Sequence, residues 1–153
     1  MGIFAEFRGF KYNDPMEYEH LKWEYRFERQ HVARDAAELL PNHQSAQDIQ
    51  EKLMSYVLNL DHGVGKHKAI VFERALGYNA SNAGALERQI RRGLMRYRAE
   101  SVGHNGYGRK YRTIMRITGP NGKQPVQVGW IILDGESFSR MVTAYVDDKN
   151  RRP

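Results

Sequence analysis

The chain has 153 residues, no cysteine, 24 Lys and Arg against 18 Asp and Glu, and a net charge of +6. That size suits one folded unit with a sizeable core, and the missing cysteines exclude disulfides, a thiol nucleophile and Cys-ligated zinc. No run approaches the roughly 20 apolar residues of a membrane-spanning helix. No secretory signal is expected near the start, so the expected location is cytoplasmic, or the cytoplasm of a target cell after delivery.

Residues 1–44 read as an aromatic-rich arm followed by a helix. Asn13-Asp14-Pro15 is a helix start, with Asp14 as N-cap, Pro15 in the first turn and Glu17 completing a capping box. Tyr18, Leu21, Tyr25, Val32, Ala36 and Leu39 fit one helical face, and no Gly or Pro interrupts the chain from Met16 to Leu40. Leu21, Trp23, Tyr25 and Phe27 also alternate as in a strand, but the uninterrupted length favours helix. With Trp23 and Phe27 added, the segment carries more apolar surface than one docking face needs. A homodimer or a bound partner through residues 15–40 is therefore expected.

Residues 45–153 read as an α+β domain. Ser45 with Asp48 is expected to cap a second helix through Asn59, with Ile49, Leu53, Tyr56, Val57 and Leu60 inward. A third helix runs Lys66–Leu76 and stops at Gly77. A fourth runs from about Asn82 to Arg98, with Leu86, Ile90, Leu94 and Tyr97 inward and Arg88, Arg92 and Arg96 on the outer side. Residues 103–108 read as a loop. A three-strand antiparallel meander follows, closed by Gly-Pro-Asn-Gly and Asp-Gly-Glu-Ser turns.

Residue parity sorts the meander's chemistry. Tyr111, Thr113, Met115 and Ile117 share one side with Val126, Val128, Trp130, Ile132, Val142, Ala144 and Val146. The other side carries Lys110, Arg112, Arg116, Gln127, Gly129, Thr143 and Tyr145. Residues 85–116 hold nine Lys and Arg against two acids, whereas residues 1–60 hold seven against ten. Such asymmetry favours a polyanionic partner.

Lys68 lies in register with the apolar Phe72 and Leu76, which aims it at the core edge, where a phosphate could meet it. His62, in a glycine-rich loop beside it, ranks first for proton transfer, ahead of His67 and His104. His20, His31 and His43 read as structural or surface residues. Arg112 can hold a phosphate bidentately while Thr143 and Tyr145 hydrogen-bond it. Lys66, Arg88, Arg92, Arg96, Lys110 and Arg116 are candidate phosphate contacts, and Tyr107 can stack on a base. No metal-ligand spacing or phosphate-loop motif occurs, so neither metal nor cofactor is expected.

Several stretches in order, Lys-Leu-Met-Ser-Tyr-Val-Leu-Asn, His-Gly-Val-Gly-Lys-His-Lys-Ala, Tyr-Gly-Arg-Lys-Tyr, Val-Gly-Trp-Ile-Ile and Met-Val-Thr-Ala-Tyr among them, lie between residues 48 and 147. Over this span the chain resembles an uncharacterised domain family found at the C-termini of bacterial polymorphic toxins and in phage-associated proteins. That family in turn looks like a member of the barnase, EndoU, colicin and RelE group of small metal-independent ribonucleases. The resemblance implies N-terminal helices packed on an antiparallel sheet whose open face cuts RNA, with tRNA the expected target and an immunity protein as a further partner. It carries roles onto Lys68, Arg112 and Thr143. Gln127 and Gly129 depart from it, standing where a basic and a larger residue are expected. The alternative reading is a non-catalytic phage or mobile-element protein that binds RNA, nucleotide or protein through the basic sheet face.

Overall fold

The computed structural model describes residues 5–7, 10–12, 14–148 and 152. A short antiparallel hairpin, β1 (Ala5–Phe7) and β2 (Phe10–Tyr12), precedes four helices: α1 (Pro15–His31), α2 (Ile49–Lys52), α3 (Lys66–Leu76) and α4 (Ala83–Leu94). The chain then forms one antiparallel sheet in sequential order, β3 (Ala99–His104), β4 (Gly108–Gly119), β5 (Gly122–Leu133) and β6 (Arg140–Val146). Helices first and sheet last make an α+β fold. The side chains of the aromatic arm lie outside the described residues.

α1 begins at Pro15 with Asp14 as its N-cap, as expected, the carboxylate accepting from the Met16 N–H at 2.9 Å. It ends at His31, short of the Leu40 expected, because the next residues turn extended. The Ala33 N–H donates to Arg96 O at 2.9 Å and the Arg98 N–H to His31 O at 2.8 Å. The buried stripe is not Tyr18, Leu21 and Tyr25 but Phe27 and His31, with Trp23 packed beside them. Trp23 stacks on Phe27 at 5.0 Å, and Phe27 meets the Tyr97 ring edge-on at 6.0 Å. Much of the apolar excess read from the sequence is thus used in the core.

Asp48 does not cap α2. It sits in the left-handed region at φ 66° without a side-chain cap bond, and its carboxylate pairs instead with Arg140 of β6 at 3.0 Å. α2 passes directly into a wider π turn, Leu53–Val57. Ile49, Leu53, Val57 and Leu58 are buried there, whereas Leu60 is exposed. α3 matches its expected limits and stops at Gly77, whose φ of 81° suits glycine. α4 is shorter than expected, and Tyr97 is buried just beyond it rather than within it.

Met115, Ile117, Val126, Val128 and Trp130 form the inner sheet face with Met141, Ala144 and Val146, and α2, α3 and α4 supply Ile49, Phe72 and Ile90 to the same core. Gly93 permits the close approach of α4, since a Cβ there would lie 2.5 Å from the Met115 sulfur. Parity fails at one place. Thr143 pairs with Gly129, but Met141 pairs with Trp130, so the strand bulges at Val142. Met141 is therefore buried and Val142 is 40% exposed, against the inward position expected for it.

Candidate functional site: the outer sheet face

The outer face carries the polar set that parity predicts, joined at both margins by helix residues. At the β6 edge, α3 delivers Lys68 to the strand's outer side. Its Nζ donates to the Thr143 hydroxyl at 3.5 Å and lies over the Tyr145 ring at 5.3 Å and the Tyr56 ring at 5.6 Å. Two aromatic faces and a hydroxyl hold the ammonium without neutralising it. The expected grouping of Lys68, Thr143 and Tyr145 is therefore present.

Gly129 sits opposite Thr143, and a Cβ there would lie 3.2 Å from the threonine methyl. The missing side chain leaves a depression of about 250 Å³ bordered by Lys110, Arg112, Gln127, Val142 and Thr143. A larger cleft of about 510 Å³ adjoins it, sharing Arg112 and Gln127. Glu100, Arg112, Ile114, Gln127 and Tyr145, drawn from all four strands, line it together with Val146, Asp147 and Asp148, and its wall is Gln30 and His31 of α1 with Arg98.

Arg112 is not a bare cation. Its Nε and Nη2 donate to the two Glu100 oxygens at 3.0 and 3.1 Å. This fork holds the Glu100 carboxyl below the usual carboxylate range and raises the Arg112 guanidinium. Burial, with Asp147 nearby, pushes the Tyr145 phenol up, so it carries its proton at neutral pH. His31 is 6% exposed, and its Nε2 has no hydrogen-bond partner among the described residues. Burial and Arg98 lower its pKa, while Asp147 and Glu100 oppose that shift.

His62, expected to transfer a proton, is engaged within its own loop. Its ring stacks on Tyr56 at 4.8 Å, and its Nδ1 accepts from the Val64 and Gly65 N–H groups at 3.1 and 2.9 Å. That places the proton on Nε2, so the ring offers an N–H rather than a lone pair. His62 borders neither cleft. His104 pairs with Asp134 at 3.0 Å.

The expected phosphate contacts divide. Lys110 borders the depression, and Tyr107 is 74% exposed just before β4. Arg116 lies on the outer face but pairs with Glu24 of α1. Arg96 pairs with Glu28 at 2.9 Å. Arg88 and Arg92 are exposed on α4, which packs against the inner face. The helical stripe therefore stands on the side of the sheet opposite the cleft. Lys66 is exposed at the start of α3.

Gln30, Arg98, Glu100, Asp147 and Asp148 line the cleft without a site role in the sequence, and His31, expected as a structural or surface residue, lines it too. β3 was hidden because Gly103 and the polar Asn105–Gly106 suggested a loop, so Glu100 had no assigned face. The available signal was Glu100 itself, the lone acid in the basic stretch between Arg88 and Arg116. Among the described residues, no group of three His, Asp or Glu side chains comes together to hold a metal ion, and no helix is long and apolar enough to cross a membrane.

Comparison with curated proteins gives no match. A family described as a domain of unknown function, DUF6883, matches residues 39–148, which include α2 to α4, all four strands of the main sheet, and Lys68, Arg112, Thr143 and Tyr145. Because that match covers most of the chain, the protein belongs to the DUF6883 family.

Proposed function

We propose that this protein is a small endoribonuclease of bacterial toxin type that cleaves RNA, tRNA foremost, without a metal ion. The observation that carries the reading is that Lys68, held by Thr143 and Tyr145, meets the outer sheet face on which Tyr145 and the Arg112–Glu100 fork share one cleft. Metal-independent RNA cleavage needs a proton acceptor for the ribose 2′-hydroxyl, a donor for the leaving oxygen, and cations around the phosphate. Glu100 is ionised and takes the 2′-hydroxyl proton as that oxygen bonds to phosphorus. The bond from phosphorus to the 5′ oxygen breaks, and Tyr145 gives that oxygen its proton. Lys68, over the Tyr145 ring, stabilises the resulting phenolate and, with Arg112, the charge on phosphorus. Thr143 orients a phosphate oxygen. The products are a 2′,3′-cyclic phosphate and a free 5′-hydroxyl.

The second reading is an RNA-binding module without chemistry. The closed Arg112–Glu100 fork favours it, since a guanidinium already bound to a carboxylate must change partner before it can grip a phosphate. Total RNA incubated with the protein in EDTA separates the two. Fragments ending in cyclic phosphate support the enzyme, and intact but bound RNA supports the module. A substrate lacking the 2′-hydroxyl should survive.

A further inference from the structure

A third cavity, of about 430 Å³, opens beyond the end of α1, lined by Arg29, Gln30, Val32, Arg34, Glu38 and Arg98. It shares Gln30 and Arg98 with the 510 Å³ cleft, so the two are parts of one groove divided at Arg98. Three arginines face one acid there. The Arg98 Nε donates to Gln30 O at 2.9 Å, which fixes its guanidinium at the divide. On the cleft side of that divide stands His31, buried and with its Nε2 unpartnered among the described residues. An unpaired buried nitrogen beside Arg98 is costly for a fold and useful to an anionic ligand.

We propose that the cavity is a second phosphate subsite, receiving the neighbouring phosphate of a single-stranded RNA whose scissile phosphate lies in the Arg112–Tyr145 cleft. The inference rests on the ribonuclease reading for which phosphate is cut, but not for binding. Arg34 and Arg29 hold the flanking phosphate, and Arg98 stands between the two phosphates. Both outer arginines precede residue 39, where the family match begins. The segment before the family domain thus completes the groove and sets the length of strand the protein prefers.

Uncleavable 2′-O-methyl RNAs test this directly, a dinucleotide against a strand of about eight nucleotides. Wild type should bind the longer strand at least about tenfold more tightly. Arg34→Ala should lose most of that margin, flatten the salt slope by about one, and leave the dinucleotide unaffected. Arg98→Gln should weaken both. Equal affinity of wild type for the two lengths, or an Arg34→Ala variant that binds both as wild type does, overturns the subsite. Binding as expected, with unmethylated RNA left uncut, keeps the subsite and sinks the catalytic reading instead.

Discussion

Lys68 of α3 and Thr143 of β6 stand 75 positions apart in the chain, yet the ammonium reaches the hydroxyl at 3.5 Å. The contact joins the helical layer to the outer side of the sheet, around the β6 edge. It puts a cation beside the ring of Tyr145, where the sheet's polar face meets the helices.

The Arg112–Glu100 fork gives the sharpest single substitution. Glu100→Gln removes the carboxylate that occupies the guanidinium and also removes the proposed proton acceptor. RNA affinity should rise while cleavage falls by about 10²-fold or more. Affinity and single-turnover rate measured on the same RNA check it; a fall in both assigns Glu100 to folding or substrate contact instead.

Salt dependence should locate the binding face. Lys110→Ala, at the depression, should reduce the slope of log affinity against log salt by about one. Arg88→Ala with Arg92→Ala should leave both slope and cleavage unchanged, because α4 lies behind the sheet. The opposite pattern would place the RNA on the helical side.

His31 predicts a pH-dependent stability. Burial and Arg98 hold it below its ordinary value of 6.5, with Asp147 and Glu100 working against them. As pH falls from neutrality the unfolded chain binds the proton first. Stability should therefore be full above about pH 6.5 and be lost as pH drops through the lower folded value. The melting temperature should fall between about pH 7.5 and pH 5.5, and His31→Asn should flatten that fall. Loss from the Glu100–Arg112 pair comes lower, beneath the usual carboxylate value of 4.5.

Within the core, the Trp130 Nε1 donates to the Thr113 hydroxyl at 3.1 Å, with both side chains buried. Trp130→Phe removes the donor and leaves Thr113 facing a carbon edge. It should cost about 1–3 kcal/mol, read from chemical denaturation, and leave RNA cleavage intact.

Much of the outer face was legible because strand parity is local: Lys110, Arg112, Gln127 and Tyr145 follow from alternation alone. Val142 did not, since a bulge is set by pairing with a partner strand. The fork was invisible because β3 contributes one acid to a strand that looks like a loop. α1 misled in another way. Its helical face is set by contact with Tyr97 and the turn to Arg98, so Phe27 and His31 point inward although Tyr18, Leu21 and Tyr25 make the better apolar pattern.

In the proposed reaction the Lys68 ammonium stabilises the transition state of RNA cleavage. The direct measurement is the single-turnover rate of wild type and Lys68→Ala on one RNA in EDTA, with Thr143→Ala alongside. Losing one transition-state contact should slow cleavage on the order of 10²–10³-fold. The double variant should be little slower than the worse single one. Lys68→Ala opens no large cavity, so its stability should stay near wild type, far from the roughly 2–5 kcal/mol of a core Leu→Ala change. A folded Lys68→Ala that cuts as fast as wild type, or a wild type that cuts no RNA at all, contradicts that role.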